Sequence, residues 1–148
     1  MSNLRTVVID VDGVLTDGKV WYDAKGNRTK AFHSRDIRAI RQLVSHGYRV
    51  ILLTQSSWPG INDYIKRTGA EVIINREKVP DPEWGKYIAI GDDTADLAVL
   101  RGATLAYCPA DADLSVKAEG CVLSLYMKGG EGVISELLMV LESANVFA

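Results

Sequence analysis

The chain of 148 residues carries only two cysteines, Cys108 and Cys121, and no apolar run that approaches a membrane span. Two widely separated thiols leave no room for a disulfide framework or a cysteine-built zinc site. Cys121 lies in the apolar run CVLSL and is expected to be a buried thiol. A membrane-spanning helix needs about 20 consecutive apolar residues, and no such stretch is present. Neither sign of charge dominates: 17 Lys and Arg stand against 19 Asp and Glu, for a net charge of −2. That balance supplies no general basic surface for nucleic acid or for an anionic membrane. Repeats, Pro/Gly/Ser-rich linkers and low-complexity tracts are missing, and the opening residues MSNLRTVV show no signal-peptide pattern. The expectation is one soluble, cytoplasmic domain over residues 1–148, long enough to bury a core.

What is present centres on TVVIDVDGVLTDG, from Thr6 to Gly18. A β-branched run stops at two acids one residue apart, Asp10 and Asp12, followed at once by Gly13. In extended backbone, residues i and i+2 project to one side, so the two carboxylates can converge. Such a pair repels unless a cation or a shared proton relieves it. Oxygen-rich clusters of this kind suit Mg²⁺ working beside phosphate.

Residues 19–33 then read as a β-hairpin, Val20-Trp21-Tyr22 and Thr29 to Phe32 around the polar loop Asp23–Asn27. An isolated hairpin is marginal in water, so this one is expected to pack on its own domain or on another subunit. A helix opens at Ser34 or Asp36 and runs to His46. Arg35, Arg38 and Arg41 lie along one flank of it, either as a solvated face or as contacts for an anionic ligand. Strands follow at Arg49–Leu53, Glu71–Ile74, Tyr87–Ile90, Thr104–Tyr107 and about Cys121–Leu125. Helices are expected from near Pro59 to Thr68, from Thr94 to Arg101 and from Gly132 to Ser143. Residues 75–86, with two prolines and little apolar periodicity, read as a connection. Alternating strands and helices predict an α/β, Rossmann-like parallel sheet with helices on both faces. Its carboxyl edge gathers Asp10 and Asp12, Thr54, and the pair Asp92 and Asp93; acids at strand ends are common turn formers singly, but three such ends in one chain exceed turn chemistry.

The motifs DVDGVLTDG, Thr54 after a hydrophobic strand, a following lysine, and GDDTAD from Gly91 to Asp96 resemble the haloacid dehalogenase-type phosphatases. The resemblance spans nearly the whole chain. With KAFHSRD and GGEGV it narrows to phosphatases of sugar-acid phosphates, of the eight-carbon and nine-carbon kinds. It implies an aspartyl-phosphate formed on Asp10 and an acid/base role for Asp12. It further implies Mg²⁺ held by Asp10, the Asp12 carbonyl and Asp92, with a phosphate contact from Thr54. Lys78 is the first candidate for the phosphate-binding lysine and Lys86 the second. Asp93 and Asp96 are expected to orient the site, and the sugar contacts to fall on His33, Ser34, Arg35, Asp36 and Gln55. The hairpin would be a minimal cap inserting towards a neighbour in a homotetramer. Gly129–Gly132 reads either as a segment reaching an active site or as a flexible entry to the last helix. Two places depart from the pattern. Gln55 and Ser56 stand where glycine and then arginine or glutamate are usual, and only about seven residues separate Lys78 from Lys86, too few for the helix and loops that the family carries there. A degenerate domain with weak or no activity, kept for oligomerisation or regulation, is the alternative, set against the retained carboxylates. The order DxD, Thr, Lys, GDD does not fit a signalling receiver domain.

Overall fold

The run Thr6–Asp10 (β1) alternates apolar residues to both sides and lies wholly buried, as a central parallel strand requires. The computed structural model describes residues 4–74 and 77–144. In it β1 pairs in parallel with Arg49–Thr54 (β4) on one side and Tyr87–Ile90 (β6) on the other. The full sheet runs β5-β4-β1-β6-β7-β8, with Glu71–Ile74 as β5, Leu105–Cys108 as β7 and Val122–Ser124 as β8. All of its pairings are parallel. From β1 the chain steps outward through β4 and β5, then returns to β6 on the opposite side. That reversal opens a crevice at the carboxyl end of β1, the place where ligands bind in such sheets.

Helices cover both faces. Val7 and Ile9 point into one core with Ser34–Ser45 (α1), Ile61–Thr68 (α2) and Val133–Ser143 (α5). Val8 points into the other, with Val99 and Leu100 of Leu97–Gly102 (α3) and Val116 of Leu114–Lys117 (α4). The amphipathic stripe of α5 buries Val133, Ile134, Leu137, Leu138 and Leu141, each contributing roughly 1.5–3 kcal/mol. The hairpin is a separate two-stranded sheet, Trp21–Tyr22 (β2) and Arg28–Thr29 (β3), joined by the expected five-residue loop.

Several expectations shift by a residue or two. Pro59 precedes α2, whose N-cap is Gly60, and Thr94–Asp96 is a 3₁₀ turn that leads into α3. Helix α4 has only four residues, too few to leave a periodic signal. Cys121 is corrected: it is exposed, and Cys108 is the buried thiol. β8 is an edge strand covered on one face, so Val122 turns inward while Leu123 stays exposed. In the 75–86 connection Asn75 and Arg76 lie outside the described residues. Its remainder is a loop ending in the 3₁₀ turn Pro82–Trp84, where buried Trp84 packs edge-on against Tyr87. One indole thus covers part of the sheet face that a helix would have covered.

Candidate active site

Asp10 ends β1 level with Leu53, and Ile9 is level with Ile90. This register brings Thr54, the last residue of β4, and Asp92, two residues past β6, to either side of the Asp10 carboxylate. A cleft of about 240 Å³ is lined by Asp10, Asp12, Thr54, Lys78, Asp92 and Asp96, with Gln55 and Asp93 at its rim. The loop after β1 turns at Gly13, whose φ of +87° suits glycine.

Lys78 reaches the bottom of the cleft. Its ammonium donates to Asp10 Oδ1 and, at 2.9 Å, to Asp96 Oδ1, with all three side chains buried. Lys86 is exposed in the bend just before β6. The other oxygen of Asp96 accepts the backbone N–H groups of Asp92 (2.9 Å) and Asp93 (3.1 Å). Asp93 caps the following turn and completes a capping box with Asp96. Asp96 therefore holds the Gly-Asp-Asp turn in shape and pins Lys78 at once. Thr54 Oγ1 lies in the cleft and exchanges hydrogen bonds with the Ser56 backbone, at 2.9 and 3.2 Å.

Asp10, Asp92 and Asp96 each offer a carboxylate oxygen within 4.8 Å of the others. Three carboxylates share one ammonium, and the charges respond. Burial, followed by the charge of Asp96 and the contact with Asp92, raises Asp10 well above the usual carboxylate range, against the pull of Lys78. Burial likewise pushes Asp92 up to about 6. Burial works against the Lys78 ammonium, but Asp10 and Asp96 outweigh it and hold its pKa above the ordinary value. Asp92 Oδ1 is buried without a hydrogen-bond partner among the described residues. An orphaned carboxylate oxygen beside a second carboxylate fits a divalent cation, which would offset the excess negative charge. Asp96, with both oxygens engaged, is committed to Lys78 and the turn.

Asp12 lies further out, in extended backbone, its carboxylate reaching the mouth of the cleft. Lys30 of the hairpin pairs with it, a contact that the sequence did not single out. The available signal was the alternation of Lys30 and Phe32, which places both on the inner side of an extended segment. Phe32 packs against Trp58 and Tyr64, with ring centres 5.3 and 4.8 Å away. These aromatics wall a second cavity of about 540 Å³ that opens beside Asp12 under the hairpin.

The expected sugar contacts at the start of α1 are not drawn together around either cavity. His33 caps α1 by accepting the Arg35 N–H, and Ser34 and Arg35 are exposed. Asp36 is fully buried and accepts the backbone N–H groups of Ile134 (3.0 Å) and Ser135 (3.3 Å) at the start of α5. It anchors one helix to another and lines neither cavity. Gly129 and Gly130 pack directly on the loop after β1, where a Cβ on either would strike the backbone of Gly13, Thr16 or Asp17. Gly130 N–H donates to Val14 O at 2.9 Å, so this segment buttresses the acid loop and is no flexible entry.

No family model matches the chain. It is 32% identical over 151 aligned positions to the 3-deoxy-D-manno-octulosonate 8-phosphate phosphatase of Haemophilus influenzae, covering 93% of this chain and 82% of that one. Among solved structures, the cobalt-bound deoxy-D-mannose-octulosonate 8-phosphate phosphatase from H. influenzae superposes with a TM-score of 0.83 at 30% identity, over 97% of this chain and 90% of that one. The Moraxella catarrhalis enzyme, solved with magnesium ion, phosphate ion and a KDO molecule, shares the fold at a TM-score of 0.85 and 24% identity, over 98% and 90% of the two chains. The sheet is thus that of a phosphatase with the haloacid dehalogenase-like α/β fold. The chain belongs to the 3-deoxy-D-manno-octulosonate 8-phosphate phosphatase family.

Proposed function

We propose that this phosphatase hydrolyses the phosphomonoester of a phosphorylated sugar acid, of the 3-deoxy-octulosonate 8-phosphate or 3-deoxy-nonulosonate 9-phosphate type, using Mg²⁺. The observation that carries the reading is the buried Asp10 carboxylate at the sheet's switch point, gripped by Lys78 and faced by the unpartnered oxygen of Asp92.

Asp10 attacks phosphorus, forming a bond from its carboxylate oxygen while the bond from phosphorus to the sugar oxygen breaks. Asp12 gives its proton to that departing oxygen. Water then attacks the aspartyl-phosphate and loses its proton to Asp12, and the bond from phosphorus to Asp10 breaks to release phosphate. Thr54 and Lys78 offer donors to the phosphoryl oxygens, and Lys78 also fixes the Asp10 carboxylate for attack. Asp10 and Asp92, with the Asp12 carbonyl, are the residues that would hold Mg²⁺. When bound, the ion supplies charge neutralisation for the phosphoryl group. Asp93 and Asp96 keep these donors in place.

The hairpin supports association of copies: Trp21 and Tyr22, on its two faces, are 68% and 69% exposed. A homotetramer is the expected assembly, and a monomeric mass by light scattering would contradict it. A phosphate-release screen with Mg²⁺, run over sugar-acid phosphates, neutral sugar phosphates and nucleotides, tests the substrate class. The sugar-acid phosphates should give the highest kcat/KM; preference for nucleotides would overturn that class.

A further inference from the structure

Lys30 has no part in the steps above, yet it makes the closest contacts that the Asp12 carboxylate has. Its Nζ stands 2.8 and 3.1 Å from the two oxygens, across 18 residues of sequence. The only other side-chain partner of that carboxylate among the described residues is Thr16 Oγ1, at a long 3.5 Å. The Lys30 side chain is 11% exposed against 42% for Asp12, so the hairpin covers the cation and aims it at the acid. The ammonium also sits 5.7 Å from the centre of the Trp58 ring, a distance at which cation and π-face attract. Phe32, two residues on, is locked between Trp58 and Tyr64. The inner edge of the hairpin is therefore anchored at two points, one of them the candidate acid/base group.

We infer that Lys30 is the positioning residue for Asp12. Carried by the hairpin, its ammonium holds the carboxyl group in the orientation from which a proton passes to the leaving oxygen. The inference rests on the acid/base reading of Asp12. One Asp12 oxygen carries the proton while the other stays on Lys30, so the contact survives both halves of the cycle. A half-exposed ion pair adds little to stability. Its loss should instead be felt in where the carboxyl group points. The cap then serves the acid/base step directly, beyond enclosing the site.

The chemistry provides a discriminating readout. A sugar alkoxide is strongly basic and leaves only with a proton, whereas p-nitrophenolate is a stable anion that leaves without one. Lys30→Met and Lys30→Arg should be compared with wild type by kcat/KM on two substrates, p-nitrophenyl phosphate and whichever sugar phosphate the wild type hydrolyses fastest. A thermal melt checks that each variant is folded. Lys30→Met should lose about 10- to 100-fold on the sugar phosphate, less than the full effect of a proton donor, through kcat with KM held. Its loss on the aryl phosphate should stay within about 3-fold, and Lys30→Arg should recover most of the sugar-phosphate rate. Equal losses on both substrates, a loss confined to KM, or no loss at all would overturn the assignment. Those outcomes leave the phosphatase reading intact, because the wild type still turns over both substrates. A wild type that releases phosphate from neither would overturn both.

Discussion

The carboxylate of Asp92 occupies the space that a side chain on Gly13 would fill. A Cβ at Gly13 would collide with Asp92, and the φ of +87° disfavours any L side chain there as well. The glycine in DxDG thus lets the loop after β1 close against the loop after β6, which brings Asp10 and Asp92 together.

Gly13→Ala should therefore cost more than backbone strain. Gly47, at the end of α1, has nearly the same φ, +88°, with open space around it. Gly47→Ala should lower stability by about 1 kcal/mol and leave turnover unchanged. Gly13→Ala should pay that strain and also lose phosphatase activity by at least about 100-fold. Steady-state kinetics with thermal melts on both variants make the comparison. Equal activity in the two would show that Asp92 adjusts freely.

Lys78 neutralises two buried carboxylates. Lys78→Met leaves Asp10 and Asp96 facing each other without it, a change expected to cost about 3–5 kcal/mol and to abolish turnover. Lys86→Met, at an exposed position, should alter stability by less than about 0.5 kcal/mol. Urea unfolding of both variants at neutral pH decides between them. A Lys78→Met protein as stable and active as wild type would remove this lysine from the site.

Excess negative charge at the carboxylate cluster predicts that a divalent cation stabilises the fold. At about 100 times its dissociation constant, Mg²⁺ should add about 2.7 kcal/mol, a rise in melting temperature of roughly 5–10 °C. Asp92→Ala should lose most of that rise, as seen by differential scanning fluorimetry with and without Mg²⁺. An undiminished rise in Asp92→Ala would place the ion elsewhere.

Asp36 predicts a pH dependence of stability. Burial, partly offset by the N–H groups of Ser135 and Ile134, pushes it up to about 6 from an ordinary 3.8. The folded state thus keeps a proton that the unfolded state releases. The stabilisation is fully present below about pH 4 and is lost as pH rises towards 6. Wild type should lose about 3 kcal/mol relative to Asp36→Asn between pH 4 and pH 7, measured by urea unfolding at several pH values. A constant difference across that range would contradict it.

The features readable from sequence were those set by local pattern. The β-branched run before Asp10, the strand before Thr54 and the strand before Asp92 each end in a polar residue, and parallel pairing alone brings those ends together. Lys78 could be chosen only by its position after β5; its approach to Asp10 depends on a loop without periodicity. Lys30 escaped notice because its contact spans the hairpin, whose placement follows from Phe32 meeting Trp58 and Tyr64. Asp36 looked like a ligand contact beside Arg35, but helix phase turns it inward to α5. Cys121 looked buried in an apolar run, and only the place of β8 at the sheet edge exposes it.

Asp10 is proposed above as the nucleophile of a Mg²⁺-assisted phosphatase. Phosphate release by wild type and by Asp10→Asn, with Mg²⁺ and with the ion chelated, tests it most directly. Wild type should turn over with Mg²⁺ and little without it, and Asp10→Asn should lose at least about 1,000-fold. Equal turnover in Asp10→Asn and wild type would contradict it.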